Sequence, residues 1–180
     1  VGHKSQKCLN KESVVNKLKK LLEDPSVKKI GQNIKFDFIV FYKLGISLSS
    51  MEDTMLMSYV LDAGKNRHNM DTLSDIHLGH KTISFKEIVG TGKKEINFSD
   101  VELETAKNYA AEDADVTFRL YKKFIKSLKS EKLFNIYEIF EKPLIKILAF
   151  MEIEGVEVDS KFLNSLSSKF DKKIKKSEKE

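Results

Sequence analysis

The fold is decided by the stretch VKKIGQNIKFD, residues 27–37. It predicts a short strand over Val27–Gly31 and then a helix over Asn33–Leu44, with Gly45 as a left-handed cap. A further short strand is predicted over Ile46–Leu48. The order strand, helix, strand, followed by many helices, indicates an α/β fold with few short strands and a helix-rich C-terminal half.

Outward from this stretch, the hydrophobic spacing is mostly helical. Helices are predicted over residues 12–23, 52–61, 70–78, 99–129 and 132–154, and after a cap at Asp159 or Ser160. Ser99 and Glu102 have the spacing of a capping box at the start of the long helix. Residues 84–98 are predicted to form a loop, and residues 156–158 a brief strand. The charged stretch 126–132 marks a predicted boundary between two domains, 1–130 and 131–180.

Composition excludes several classes of protein. The 180 residues are 41% hydrophobic and 33% charged, which fits a globular protein and not a membrane protein. The single cysteine, Cys8, excludes a cysteine-rich zinc site and suits a reducing compartment. The net charge of +5 permits nucleic-acid binding but also fits a solvated lysine-rich surface. Since Arg67 and Arg119 are the only arginines, backbone contacts are expected to dominate any binding of DNA.

Two aspartates stand out from this pattern. Asp113 lies on the apolar stripe of the long helix, whereas Asp115 points roughly 160° away toward solvent. A carboxylate on a buried face costs several kcal/mol unless it is paired or binds a metal, and both alternatives stay open. Asp37 lies near a helix N-terminus, where the dipole alone would favour it. Together they suggest a site for a hard cation acting on phosphate, with oxygen ligands that favour Mg²⁺ or Mn²⁺.

An ordered set of motifs then carries a family resemblance. The segments GQNIKFD (31–37) and YAAEDAD (109–115) resemble the second and third motifs of the proofreading 3′–5′ exonuclease domain of the bacterial DNA polymerase I family, family A. Between these two motifs, the segments at 53–55, 67–71 and 81–85 have the order and spacing of the same family. Residues 141–144 and 151–156 resemble the start of the polymerase domain. The resemblance implies a truncated RNase H-like exonuclease fold.

The resemblance also implies roles for single residues. Asp113 would bind the first divalent ion directly, Asp37 the second through its water shell, and Tyr109 would orient the attacking water. The partner would be single-stranded DNA or a primer 3′ terminus, with the rest of the polymerase chain and no membrane. The residues expected to contact DNA are Gln32, Asn33, Lys35, Phe36, Arg67 and Phe85.

The family's first motif, D-x-E on an earlier strand, is expected to lie before residue 1. The string Asp100-Val101-Glu102 is rejected as that motif because it lies at a predicted helix start. With two carboxylates facing two divalent ions, the Mg²⁺ or Mn²⁺ site is expected to be incomplete, the chain alone inactive, and the sheet open at an edge. A non-catalytic single-stranded DNA-binding fragment or a connector is the alternative. The protein is expected in the bacterial cytoplasm, at the nucleoid.

Overall fold

The chain contains a small parallel sheet of two short strands. The computed structural model describes residues 8–92 and 95–178. Within them, β1 (Lys29–Gly31) pairs in parallel with β2 (Met51–Asp53), in a register that places Gly31 opposite Asp53. The described part of the chain has no other strand. The α/β class with few short strands is therefore confirmed.

Helices make up most of the remaining structure. In chain order they are α1 (Lys11–Glu23), α2 (Ile34–Lys43), α3 (Thr54–Asp62), α4 (Met70–Leu78), α5 (Phe85–Val89), α6 (Leu103–Ser130), α7 (Phe134–Ile136), α8 (Lys142–Glu154) and α9 (Ser160–Ser177). A 3₁₀ turn, Phe98–Asp100, precedes α6, and a π-helical turn, Tyr137–Glu141, joins α7 to α8. No helix of the described residues combines the length and apolarity needed to cross a bilayer.

The predicted strand at Ile46–Leu48 is wrong. Ile46 and Leu48 are buried, but this segment pairs with no strand, and the second strand lies at Met51–Asp53 instead. Alternating burial in a short apolar segment can be satisfied by a loop packed on the core, so the pattern alone does not locate the ladder. The strand predicted over Val27–Gly31 is shorter in the structure, Lys29–Gly31.

Three further predictions need correction. The predicted loop at residues 84–98 contains α5, which Ser84 and Glu87 cap with reciprocal hydrogen bonds of 3.3 and 3.2 Å. The predicted capping box at Ser99 is wrong because Ser99 lies in the 3₁₀ turn; Glu102 caps α6 by accepting from the Thr105 amide at 2.8 Å. Residues 156–158 form no strand.

Two clusters of buried apolar side chains form the core of the described residues. One cluster packs α3 and α4 on α6, through Met57, Leu73, Val116, Leu120, Phe124, Leu128 and Tyr137. A second packs α2 on β2 and α8, through Ile34, Phe38, Leu48, Met51, Ile145 and Ala149. The first cluster fixes α6 and the second fixes α2, so the two helices that carry the candidate aspartates are both rigidly anchored.

The chain divides into two compact units, one reaching to Phe150 and one beginning at Met151. In the second unit, α9 begins where the sequence predicts. The Asp159 carboxylate accepts a hydrogen bond from the Phe162 amide at 2.9 Å. The boundary predicted after residue 130 concerns the family origin of each segment and stays a prediction.

Candidate active site

A cavity of about 500 Å³ opens where β1 ends, beside α2 and α6. Its lining comprises Ile30, Gly31, Gln32, Asn33, Phe36, Asp37, Met70, Tyr109, Asp113, Ala114 and Thr117. Six residues singled out from the sequence are among them. The two motifs that are far apart along the chain thus meet in one concave site.

Asp113 carries the most distinctive atom of the cavity. Its Oδ1 is buried and has no hydrogen-bond partner among the described residues. Partial burial raises the pKa of the Asp113 carboxyl, and the nearby carboxylates of Glu112 and Asp71 raise it further against the lowering effect of Tyr109. By contrast, Asp115 is 65% exposed and pairs with Arg119 at 3.5 Å. A buried, unsatisfied carboxylate oxygen calls for a ligand.

Tyr109 lies one helical turn before Asp113 and is half-buried. Burial, followed by the negative charge of Asp113, raises the pKa of its hydroxyl to about 12. Tyr109 therefore stays protonated at neutral pH and its hydroxyl can donate a hydrogen bond. This fits a role in orienting a polar molecule and does not fit a role as a general base.

Asp37 lies in the first turn of α2, and its side chain is exposed at the mouth of the cavity. The surrounding protein nonetheless raises the pKa of its carboxyl through desolvation. Asp37 and Asp113 approach the cavity from different helices, so a cation in the cavity can face both.

The turn between β1 and α2 is held by a buried carboxylate, that of Asp53. Asp53 accepts hydrogen bonds from the amides of Asn33 at 3.0 Å and Ile34 at 2.9 Å. It also caps α3 by accepting from the Met55 amide at 2.9 Å. Asn33 is left-handed, with φ 59°, and a Cβ on Gly31 would lie 2.9 Å from the Ile34 Cβ. These constraints fix the direction in which α2 carries Asp37.

Gln32 is also held by its neighbours. Its amide nitrogen donates to the His68 carbonyl at 2.7 Å, and its amide oxygen accepts from the Thr54 hydroxyl at 2.5 Å. Hydrogen bonding on both sides of the amide fixes the orientation of Gln32 on the cavity wall.

Phe85 lies outside the cavity lining but touches it through aromatic contacts. Its ring stacks on Phe98 at 5.9 Å between centroids and lies 6.1 Å from the ring of Tyr109. Glu112 holds the segment just before α5, accepting from the Ile83 amide at 2.7 Å and bonding His80 at 2.8 Å. Phe85 is 48% exposed, so it retains surface for a ligand.

The remaining predicted DNA contacts are more dispersed. Lys35 lines a smaller neighbouring cavity of about 150 Å³ together with Asn33. Arg67 is exposed in the connection between α3 and α4, outside the cavity lining. The structure thus unites Gln32, Asn33, Phe36, Asp37, Tyr109 and Asp113, and leaves Lys35, Arg67 and Phe85 at or beyond the rim.

Sequence reasoning gave no role to Asp53 or Glu112, although both organise the site. A signal existed for Asp53, because an aspartate between a strand and a helix is a strong N-cap candidate. No signal marked Glu112, which looks like any exposed helical glutamate. Met70, on the cavity wall, was also missed because an apolar residue at a helix start reads as core.

The donor set suits a hard divalent cation. Asp113 offers an oxygen that has no hydrogen-bond partner among the described residues, and Asp37 offers a second carboxylate to the same cavity. Both are oxygen ligands, as Mg²⁺ and Mn²⁺ prefer. Residues 8–92 and 95–178 contain no cluster of three or more acidic, histidine or cysteine side chains suited to a metal.

Comparison with known proteins shows which protein family the chain is similar to. The family described as 3′–5′ exonuclease matches residues 3–129. DNA polymerase I of Rhizobium leguminosarum is 47% identical over 151 residues, which cover 84% of this chain and 15% of that protein. DNA polymerase I of Pseudomonas aeruginosa is 41% identical over 170 residues, 92% of this chain and 19% of that protein. The chain thus spans less than a fifth of these relatives. Domains of this family use divalent metal ions.

Solved structures share the fold at low sequence identity. A complex of the polymerase domain of Pol1 from M. smegmatis with DNA primer-template and dNTP superposes with a TM-score of 0.70 at 20% identity, covering 94% of this chain and 26% of that one. A nuclease in its apo form superposes with a TM-score of 0.64 at 18% identity, covering 87% of this chain and 70% of that one.

Proposed function

The chain belongs to the 3′–5′ exonuclease domain family of bacterial DNA polymerase I, and from this premise we propose that its cavity receives the 3′ end of single-stranded or frayed DNA for proofreading. The reaction is hydrolysis of the 3′-terminal phosphodiester. Water adds to phosphorus, the 3′ oxygen of the penultimate nucleotide leaves with a proton, and a deoxynucleoside 5′-monophosphate is released.

The observation that carries this proposal is the buried Asp113 Oδ1, which has no partner within residues 8–92 and 95–178, in a cavity shared with Asp37 and Tyr109. Asp113 would hold one Mg²⁺ or Mn²⁺ directly, and Asp37 would hold the other through water. Bound divalent ions supply a water of lowered pKa and stabilise charge on the reacting phosphate. Tyr109, protonated at neutral pH, would hold the attacking water by a hydrogen bond.

DNA contacts would surround these groups. Gln32, Asn33, Lys35 and Phe36 would line the path of the strand, and Arg67 and Phe85 would hold the 3′-terminal nucleotides. Base stacking on Phe85 tolerates any sequence, which suits removal of whichever base was misplaced. Unpaired ends would be selected because a paired end must first be unstacked.

The charge balance indicates that Asp37 and Asp113 alone are not sufficient to bind two divalent ions for catalysis. Two carboxylates contribute −2 against +4 from two divalent ions, so cation binding by Asp37 and Asp113 alone would be weak. We therefore propose that the 180-residue chain binds single-stranded DNA but does not hydrolyse it, and that hydrolysis needs further carboxylates from the polymerase.

The proposal is tested in the full-length polymerase I that contains this segment. Asp113→Ala should reduce Mg²⁺-dependent cleavage of a 5′-labelled single-stranded oligonucleotide by about 10²–10³-fold. Asp115→Ala, on the solvent face of the same helix, is the matched control and should cleave normally. Retained cleavage in Asp113→Ala would remove Asp113 from the site.

The isolated chain gives a second test. It should bind a single-stranded oligonucleotide with an affinity that falls as NaCl rises from 50 to 200 mM, and it should release no nucleotide. Nucleotide release by the chain would contradict the charge argument. Binding that is insensitive to salt would favour a connector without site chemistry.

The proposal also covers the domains of the chain, its partners and its location in the cell. Residues 1–130 would be the exonuclease domain and residues 131–180 the start of the polymerase domain. The partners would be a primer 3′ terminus and the rest of the polymerase chain. The protein would work in the bacterial cytoplasm, associated with the nucleoid.

A further inference from the structure

A second concave surface lies on the C-terminal half of α6, outside the candidate active site. It is an open groove of about 500 Å³ lined by Leu78, Arg119, Lys122, Lys123, Lys126 and Ser127. We call these six residues the basic groove. Its lining has four cationic side chains and no carboxylate, and all six residues belong to the described part of the chain.

Helical spacing explains why the four cations meet. Positions 119, 122, 123 and 126 follow the i, i+3, i+4, i+7 pattern that places side chains on one helix face. At about 100° per residue this face lies roughly opposite Asp113, and at about 1.5 Å per residue its centre lies about 15 Å further along α6. The basic groove and the active-site cavity are therefore separate surfaces of one rigid helix.

Several of the cationic side chains are held in place. The Lys122 ammonium lies 4.5 Å from the centroid of the Phe118 ring. Lys123 donates to the His77 carbonyl, at the end of α4, at 2.5 Å. Holding these chains before a ligand arrives lowers the entropic cost of binding an anion.

The charge of the groove is only weakly opposed. Asp115 forms an exposed ion pair with Arg119 at 3.5 Å, of the kind that contributes little. Burial and the charge of Lys123 lower the pKa of His77 against the raising effect of Asp62, so His77 adds little positive charge at neutral pH. Lys122 and Lys126 are exposed and line the groove directly.

We propose that the basic groove binds the phosphate backbone of a nucleic-acid strand, at a position separate from the active-site cavity. The three lysine ammonium groups are point charges that suit phosphates and do not read bases, and the Arg119 guanidinium can bind a phosphate through two hydrogen bonds. A lipid surface fits poorly, because membrane-binding helices insert an apolar face and Leu78 is the only apolar residue of this lining.

The test measures binding of a fluorescent blunt-ended duplex to the 180-residue chain by anisotropy over a series of NaCl concentrations. A paired end keeps the DNA out of the cavity, so the assay is independent of the exonuclease proposal. Lys122→Gln with Lys126→Gln should weaken binding about 10-fold and reduce the slope of log K against log salt by about 1.8. The control, Lys169→Gln with Lys173→Gln on α9, removes equal charge and should change neither quantity comparably.

Each other outcome overturns the proposal. Equal losses in the groove and control variants would indicate a general effect of net charge. Displacement of the duplex by inorganic phosphate at matched ionic strength would make a free phosphate compound the ligand. Loss of binding to vesicles rich in anionic lipid, with duplex binding unchanged, would assign the groove to a membrane. The exonuclease proposal is tested by cleavage in the full-length polymerase and not by duplex binding, so its failure would be seen separately.

Discussion

At the scale of single residues, Asp113 is kept in a position that costs stability. Its pKa is raised, so between the ordinary value of 3.8 and the raised value the folded state binds more protons than the unfolded state. Ionisation of Asp113 therefore reduces stability as pH rises through that window, and the full cost is present at neutral pH. A fold would not retain such a group for packing alone.

Replacing the Asp113 carboxylate with a neutral group should therefore stabilise the chain at neutral pH. Asp113→Asn removes the ionised group from its desolvating surroundings and should raise Tm at pH 7 by about 2–6 °C. The difference from the wild-type chain should shrink as pH falls and Asp113 takes up its proton. Thermal unfolding followed by circular dichroism at pH 7 and pH 4 measures both effects. A lower Tm in the variant would show that the carboxylate stabilises the fold.

Burial raises the pKa of the Asp53 carboxyl too, but three backbone amides donate hydrogen bonds to it, so Asp53 should behave in the opposite way. Asp53→Asn exchanges one accepting oxygen for an amide nitrogen that faces the donating amide of Ile34 or Asn33, so a buried hydrogen bond is lost. We expect a loss of about 1–3 kcal/mol in the free energy of unfolding, measured by urea denaturation. Asp62→Asn, at a partly exposed helix end, is the control. A variant as stable as the wild type would refute the bracing role of Asp53.

The sequence predicted the burial of single residues correctly where helical periodicity determines it. The 3.6-residue repeat separates Asp113 from Asp115, and the structure shows one half-buried and the other exposed. It could not identify Asp53 as the brace of the β1–α2 turn, because its partners Asn33 and Ile34 lie far away along the chain and meet it only through strand pairing.

At the scale of elements, the π-helical turn before α8 connects to β2. The Tyr137 hydroxyl donates to the Glu52 carboxylate at 2.9 Å and accepts from the Asp53 amide at 3.0 Å. Lys142 also bonds Glu52 at 2.9 Å. These bonds are buried or partly buried, so this junction helps to fix the strand from which Asp53 braces the cavity.

Removal of the Tyr137 hydroxyl should destabilise the junction between the π-helical turn and β2. Tyr137→Phe should lower the free energy of unfolding by about 1–3 kcal/mol, because the Asp53 amide and Glu52 each lose a buried partner. Urea denaturation of the 180-residue chain measures the change. Tyr59→Phe, at an exposed ring, is the matched control and should be nearly neutral. Equal stability of both variants would mean that water replaces the hydroxyl.

A fourth prediction tests the aromatic rim. Phe85→Ala should weaken binding of a single-stranded oligonucleotide by about 5- to 150-fold, the equivalent of one lost base stack. Phe170→Ala, on α9, removes a ring of similar exposure and is the control. Fluorescence anisotropy at fixed salt gives both affinities. Unchanged affinity in Phe85→Ala would restrict Phe85 to packing on Phe98.

Elements whose ends depend on local chemistry were the most predictable. The cap of α9 was predicted at Asp159 or Ser160 and is Asp159, and the start of α1 was predicted to within one residue. The β2 strand was misplaced because its position depends on pairing with β1, and α5 was missed because two nearby glycines suggested a loop. The true capping box, Ser84 and Glu87, has the same spacing as the false one at Ser99, so spacing alone could not distinguish them.

At the scale of the whole molecule, the site exists because distant segments converge. The parallel pairing of β1 with β2 places Asp53 beside the start of α2, and the core beneath α6 places Asp113 across the cavity. Hydrophobic periodicity alone does not specify such pairings. The ordered set of motifs was the basis for predicting that these segments converge. The family model matches residues 3–129, which include both motifs.

The most direct test of the central claim is anomalous diffraction from crystals of the full-length polymerase I that contains this segment, soaked with MnCl₂ and a deoxynucleoside 5′-monophosphate. We predict a manganese peak in the cavity about 2.1 Å from an Asp113 oxygen, with Asp37 facing the same cation and phosphate. The peak should vanish in Asp113→Asn crystals and persist in Asp115→Asn crystals. A cavity without manganese, or a peak indifferent to Asp113→Asn, would contradict the account.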